Sequence, residues 1–250
     1  MDVLLFLNAV LGSRLIYLFN DSRLPGRTLG IVGLIQVALC FLAFTAGWLP
    51  VLLAALLVSV LLVAERWLPQ DWLNESRFAA LLIILIALVA LRDNLVPAPW
   101  FAGMLRQLLL AVPGVGTQTD ASLDNGLWFL TGFLLVANEA NLLIRSLFHR
   151  FHLEPRVEAD GAAGMPGGQL DRQEYNAGRI IGILERWLMY SVLLVSQNIN
   201  VVALLIAAKG FARFRQMDER AFAEYVLIGT LASTLLSVLI AQIIGGLSGG

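Results

Sequence analysis

Two apolar runs near the C-terminal end constrain this chain most. Trp187 to Ala208 carries no charge and Phe222 to Ile240 carries only Glu224, and between them lies the basic segment Lys209, Gly210, Phe211, Ala212, Arg213, Phe214, Arg215. A surface helix of a soluble protein is apolar along one stripe only, whereas these runs are apolar all round. A helix the length of Phe222 to Ile240 measures about 28 Å, close to the roughly 30 Å of bilayer hydrocarbon. The composition says the same of the whole chain: 58% of residues are hydrophobic and 14% charged, where soluble domains carry about 25% charge. Mean hydropathy is +0.79. In lipid each helix satisfies its own backbone, so the fold class read here is all-α, a polytopic membrane bundle of about 6–8 helices.

Taken in order, Val3 to Phe19 is apolar but interrupted by Asn8, Gly12, Ser13 and Arg14. It reads as a tilted or interfacial helix, and a spanning helix fits equally. Asn20 to Thr28, with Pro25 and Gly26, ends it. Leu29 to Ala46 and the run to Ala64 form a helical hairpin around the turn signal Gly47, Trp48, Leu49, Pro50. Glu65 to Arg77 is a charged connection with Trp67 and Trp72 as interfacial anchors. Phe78 to Val96 is the next span, broken by Pro97 and Pro99; Trp100 to Val112 fits an amphipathic surface helix. Gly114 to Gly126 is loop, and Leu127 to Ile144 is a span that carries Asn138, Glu139 and Asn141.

Residues 145–177, rich in Gly and charge, read as a flexible cytoplasmic linker. It divides one integral membrane domain into N-terminal helices (1–144) and C-terminal helices (178–250). Cys40, the single cysteine, sits in an apolar run and reads as packing. Asp2 in place of a basic segment, with no small-residue cleavage site after it, argues against a removable signal peptide.

All but one of the 17 basic residues are Arg, the exception being Lys209. Alternate connections collect Arg23, Arg27, Arg66, Arg77, Arg145, Arg150, Arg156, Arg172, Arg179, Arg186, Lys209, Arg213, Arg215 and Arg220 on one side, against Arg92 and Arg106 on the other, with Arg14 unassigned. That asymmetry places the first set in the cytoplasm. It also bears on Trp187 to Ala208: a single span would carry Lys209 to Arg220 outside. The expected solution is a re-entrant or broken hairpin near 180–213 that reverses at Gln197, Asn198 and Asn200.

The C-terminal part resembles a family of uncharacterised bacterial polytopic inner-membrane proteins. The residues that carry the resemblance are Gly178, Arg179, Gly182, Glu185, Arg186, Gln197, Ala207 to Lys209, Ala212 to Phe214, Phe222 to Tyr225 and Leu227 to Leu231, about a quarter of the chain. The His and Asp-Phe element usual in that family's first helix has no counterpart between Met1 and Asn20. The resemblance implies a multi-pass protein of the bacterial inner (plasma) membrane and implies no activity.

Ionisable groups at membrane depth cost about 2.5–3.5 kcal/mol on insertion scales and persist where they pair or work. The intramembrane candidates are Asn138, Glu139, Asn141, Gln197, Asn198 and Asn200; Asn138, Asn141 and Arg145 share a helical face, with Glu139 just off it. On the basic side, Arg145, Arg179, Glu185, Arg186, Lys209, Arg213, Arg220 and Glu224 are candidates for ion pairing or for binding an anion or lipid headgroup. Arg179, Glu185, Arg186, Arg213 and Glu224 are expected to cluster and lock the hairpin to the last helix, while Gly178 and Gly182 form a small-xxx-small pair for close helix contact.

His149, His152 and Glu154 lack a third histidine for a metal site. Gly246, Leu247, Ser248, Gly249 resembles an intramembrane serine-protease motif without the histidine helix that should come after it. Gly161, Gly164, Gly167 and Gly168 have no flanking strand for nucleotide binding. No cofactor, metal, nucleic-acid or catalytic constellation is therefore expected. The partners to expect are the bilayer, anionic lipid headgroups, and a protein or second copy of the chain. Two functions remain: a non-catalytic membrane component or scaffold with a cytoplasmic Arg-rich face, or a small transporter or ion pathway using Glu139 and the reversal Gln197 to Asn200.

Overall fold

The computed structural model describes residues 2–101, 103, 107, 120–151, 172–196, 199–212 and 220–248. Helix α1 (Asp2–Arg14) tightens into a 3-10 turn over Leu15–Leu18. α2 (Gly26–Ala43) starts directly after Pro25, whose ring pre-sets the backbone for a helix entry, and ends where Phe44 turns extended. α3 (Trp48–Leu62) carries Pro50 in its first turn, where no intrahelical N–H is needed. It runs into a π-helical turn at Val63–Trp67. After a 3-10 turn at Gln70–Trp72 come α4 (Leu73–Leu91), α5 (Asp120–Leu134), a second π-helical turn at Leu135–Glu139, α6 (Ala140–Arg150), α7 (Arg172–Val195), α8 (Ile199–Ala212) and α9 (Arg220–Ser248).

Five stretches are long and apolar enough to cross a membrane: Gly26–Ala43, Trp48–Trp67, Gln70–Leu91, Asp124–Arg150 and Ala223–Ser248. Val3–Leu18 and Asn200–Phe211 are shorter apolar helices. The result is an all-helical bundle of the kind that polytopic membrane proteins form. Its outer surface is apolar in a way water would not tolerate. On α9, Leu227, Leu231, Leu235, Leu239, Ile243 and Leu247 are all exposed at four-residue steps, while Ser233, Ser237 and Ala241 face inward.

α1 departs from an interfacial reading. Phe6, Val10 and Leu11 are enclosed with Cys40, Phe44, Leu53, Leu57, Leu81, Ile84 and Leu88, so a helix interrupted by polar residues in sequence lies in the core. Its Asn8 is satisfied there, donating to the carbonyls of Leu4 and Leu127 and accepting from Thr131 Oγ1. At that end of the bundle the α2–α3 and α4–α5 connections are tied by a short antiparallel bridge, Thr45 N to Val96 O and Ala98 N to Ala43 O, both 2.9 Å.

The stretch 187–208 is two helices. Lys209 Nζ meets Glu185 Oε2 at 2.5 Å, although one continuous helix would hold residues 24 apart about 36 Å from each other. α8 thus runs back along α7 toward the end from which α7 came. The reversal residues Gln197 and Asn198 lie outside the described residues; Asn200 is exposed in the first turn of α8. The hydrophilic segment 145–177 is helical at both ends. Its two ends continue α6 to Arg150 and begin α7 at Arg172, while residues 152–171, with His152 and Glu154, lie outside the described residues, as does most of the Trp100 to Val112 stretch.

Close helix contact falls on other glycines than expected. Among the described residues a side chain at Gly178 would meet no atom within 4 Å, and one at Gly182 only Arg186 Nη1 at 3.6 Å. Gly132 instead lies against the Tyr190 ring, and a Cβ at Gly229 would stand 2.8 Å from Phe148 Cζ. Those two admit bulky aromatics between α5 and α7 and between α6 and α9. Trp187 also stacks on Phe133, centroids 4.3 Å apart, and donates its indole N–H to the Phe133 carbonyl.

Candidate functional site

The polar centre of the bundle is a double ion pair whose two carboxylates both sit in π-helical turns. A π turn adds a residue to the helical repeat and rotates the next turn of side chains, and such turns recur at functional sites. Glu139 closes the turn between α5 and α6, and it points at α1 instead of joining the face of Asn138, Asn141 and Arg145. Arg14 binds it with both arms of a fork, Nε to Oε1 at 2.7 Å and Nη2 to Oε2 at 3.0 Å. Asn138 Nδ2 adds a third bond to Oε1 at 2.8 Å. Arg14 and Glu139 are each 2% exposed.

The second pair closes the charged connection after α3 upon itself. Arg77 Nε donates to Glu65 Oε1 at 2.7 Å and Nη2 to Oε2 at 3.3 Å, both residues being 0% exposed. The Leu24 N–H supplies Glu65 Oε2 with a further donor at 2.9 Å. The pairs are coupled: Arg14 Nη2 also donates to the Arg77 carbonyl at 2.7 Å. The Tyr17 ring serves both, its centroid 5.3 Å from Arg14 Cζ and 4.4 Å from Arg77 Cζ, within the range of a cation–π contact.

Around this centre, arginines from three helices hold the connection between α1 and α2. Arg77 (α4) donates to the carbonyls of Asn20 and Ser22, Arg145 (α6) to that of Tyr17 and Arg179 (α7) to that of Leu18. Asp21 accepts from both Arg145 and Arg179. A connection without regular structure leaves carbonyls unpaired, and guanidinium forks are suited to collect them. Of the basic residues of this end, Arg77, Arg145 and Arg179 turn inward on the loop, while Arg27, Arg66 and Arg150 are exposed. Arg92 lies at the opposite end, and Arg106 is outside the described residues.

The expected cluster of Arg179, Glu185, Arg186, Arg213 and Glu224 is distributed differently. Arg179 is engaged with the α1–α2 connection, Glu185 with Lys209, and Arg186 donates Nε to the Val136 carbonyl of the π turn at 3.0 Å. α7 is thus locked to the α1–α2 connection and to the π turn as well as to its hairpin partner. Arg213 and the side chain of Arg220 lie outside the described residues; Glu224 is exposed near the start of α9. Asn141 is buried with its Nδ2 unpartnered.

Sequence reasoning singled out Glu139 and Arg145 but missed Arg14, Tyr17, Asp21, Glu65 and Arg77. For Glu65 and Arg77 a signal existed: two opposite charges flanking a short connection between long apolar helices are placed to neutralise each other at membrane depth. For Arg14, the lone charged residue within Val3 to Phe19, the cost of burial already demanded an acidic partner. Its identity, 125 residues away, had no local trace.

Comparison of the chain with protein-family models, with curated proteins and with solved structures found no match. Among the described residues no three His, Cys, Asp or Glu side chains are grouped to hold a metal ion. The chemistry open to the centre is set by its saturation. Glu139 takes three donors and Glu65 three, so neither has an idle oxygen, and the arrangement holds helices and charge in place.

Proposed function

We propose that this chain is a non-catalytic, multi-pass component of a bacterial inner membrane whose Arg-rich end faces the cytoplasm and docks a partner protein. The observation that carries this reading is the saturation of Glu139 by Arg14 and Asn138. A carboxylate serving an ion or solute pathway has to exchange partners, and one held by a bidentate guanidinium in a water-poor site exchanges slowly. The basic end supports the same reading. Arginines anchored in the α1–α2 connection stiffen it, and Arg27, Arg66 and Arg150 stay exposed beside them for an acidic partner surface or anionic headgroups. Charge asymmetry sets the orientation, and the resemblance of the C-terminal part to bacterial inner-membrane proteins supports the location.

The competing reading, a small transporter built on Glu139 and the reversal at Gln197, Asn198 and Asn200, makes the opposite prediction. Proteoliposomes of the wild-type chain, assayed for proton, sodium and potassium flux beside empty liposomes and a Glu139→Gln variant, are expected to give three equal traces. Flux in the wild type that disappears in Glu139→Gln would overturn the scaffold reading.

A further inference from the structure

Among the described residues Arg186 is the one fully buried guanidinium with no carboxylate bonded to it. It is 4% exposed, Nε has the Val136 carbonyl, Nη2 has no partner, and none of the described carboxylates lies within ion-pair distance. Its neighbour Glu185 is turned away to Lys209. Arg14 and Arg77, buried as deeply, each have a bidentate carboxylate. An unpaired buried charge is costly, so Arg186 calls for an anion.

The same helix provides a way to it. Gly178, Gly182 and Arg186 stand at four-residue steps on one face of α7. The Arg186 side chain leans back along its helix, as helical side chains do, so that Nη1 lies 3.6 Å from where a Cβ at Gly182 would be. One turn further toward the basic end, Gly178 has nothing within 4 Å of its missing side chain. Among the described residues nothing else packs within 4 Å of a side chain at either glycine, so the two leave a furrow about one turn long, some 6 Å by helical rise, that begins beside Arg179 and ends on the guanidinium.

We propose that this furrow is an anion site in which Arg186 binds a phosphate group, through its Nη1 N–H groups, that enters over Gly178 and Gly182. Arginine in place of lysine holds its donors in a fixed plane, and Nη1 alone carries two N–H groups for a tetrahedral oxyanion. Two sources offer that chemistry: the phosphate of an anionic phospholipid, whose headgroup layer lies at the depth of the basic end, or free inorganic phosphate. Only the lipid source depends on the membrane reading given above; the site does not depend on partner docking.

The test uses the full-length protein in a phosphate-free, non-ionic detergent. Inorganic phosphate and, separately, phosphatidylglycerol in mixed micelles are titrated against it, with bound stoichiometry read by native mass spectrometry and affinity by thermal shift. The wild type is expected to bind one equivalent of at least one of them. Gly182→Leu fills the furrow, keeps Arg186 and improves helix propensity, so it should fold and bind at least about tenfold more weakly. Arg186→Lys should keep the charge and lose most of the affinity. Binding of phosphatidylglycerol alone identifies a lipid site and binding of both identifies a general phosphate site. Failure of the wild type to bind either, or equal binding by wild type and Gly182→Leu, overturns the proposal.

Discussion

Arg14 and Glu139 meet with two hydrogen bonds where each is 2% exposed, and at this scale desolvation decides the consequences of mutation. Removing one partner strands a charge without solvent, at a cost of about 3–5 kcal/mol; replacing both with apolar residues of similar volume is often neutral. Arg14→Ala and Glu139→Ala are therefore expected to lower the thermal midpoint in detergent sharply, and the double variant Arg14→Met/Glu139→Leu to recover most of the loss. A double variant as unstable as the worse single one would mean that bonds to the Arg77 carbonyl and Asn138, and not charge, dominate. Sequence alone marked Glu139 as costly. It could not name Arg14, because helical spacing relates residues three or four apart and says nothing about two helices that meet only in the folded bundle.

The elements were legible in kind and less so in register. Apolar run lengths and the Gly47 to Pro50 signal located the α2–α3 hairpin, and basic-residue placement located the reversal between α7 and α8, which the Lys209–Glu185 contact realises. The π turns at Val63–Trp67 and Leu135–Glu139 had no such signal, since a one-residue shift in hydrogen bonding leaves composition unchanged. Which glycines bring helices together was equally hidden. Gly178 and Gly182 have the small-xxx-small spacing, yet Gly132 and Gly229 receive the aromatic rings of Tyr190 and Phe148. Gly132→Val should accordingly cost at least about 1–3 kcal/mol through overpacking, whereas Gly178→Ala should be neutral or stabilising by up to about 1 kcal/mol. Denaturation of the two variants side by side in one detergent checks this, and equal destabilisation would move the packing seam back to the N-terminal end of α7.

For the whole molecule, the exposed tryptophans give a scale. Trp48 and Trp67, at the two ends of α3 and its π turn, are separated by about 28 Å of helical rise, near the thickness of bilayer hydrocarbon. Trp100 lies at the first end and Trp72 at the second, where Arg150 stacks on it with Cζ 4.2 Å from the ring centroid. Aromatic side chains at such positions settle at headgroup level. On the proposed orientation, a single cysteine placed at Gly164 on a Cys40→Ser background should, in intact cells, resist a membrane-impermeant maleimide until the membrane is opened, and one placed at Asp93 should react at once. The reverse pattern would invert the proposed orientation. What the sequence determined by itself was its solvent and its class, since runs of apolar residues as long as a bilayer is thick can satisfy their backbone in lipid only as helices, and the clustering of arginine sorts their ends. Which helix fills the centre, which arginine answers which carboxylate and which guanidinium is left without one were decided only in the tertiary structure. Each depends on groups from distant parts of the chain sharing a site too dry to leave a charge alone.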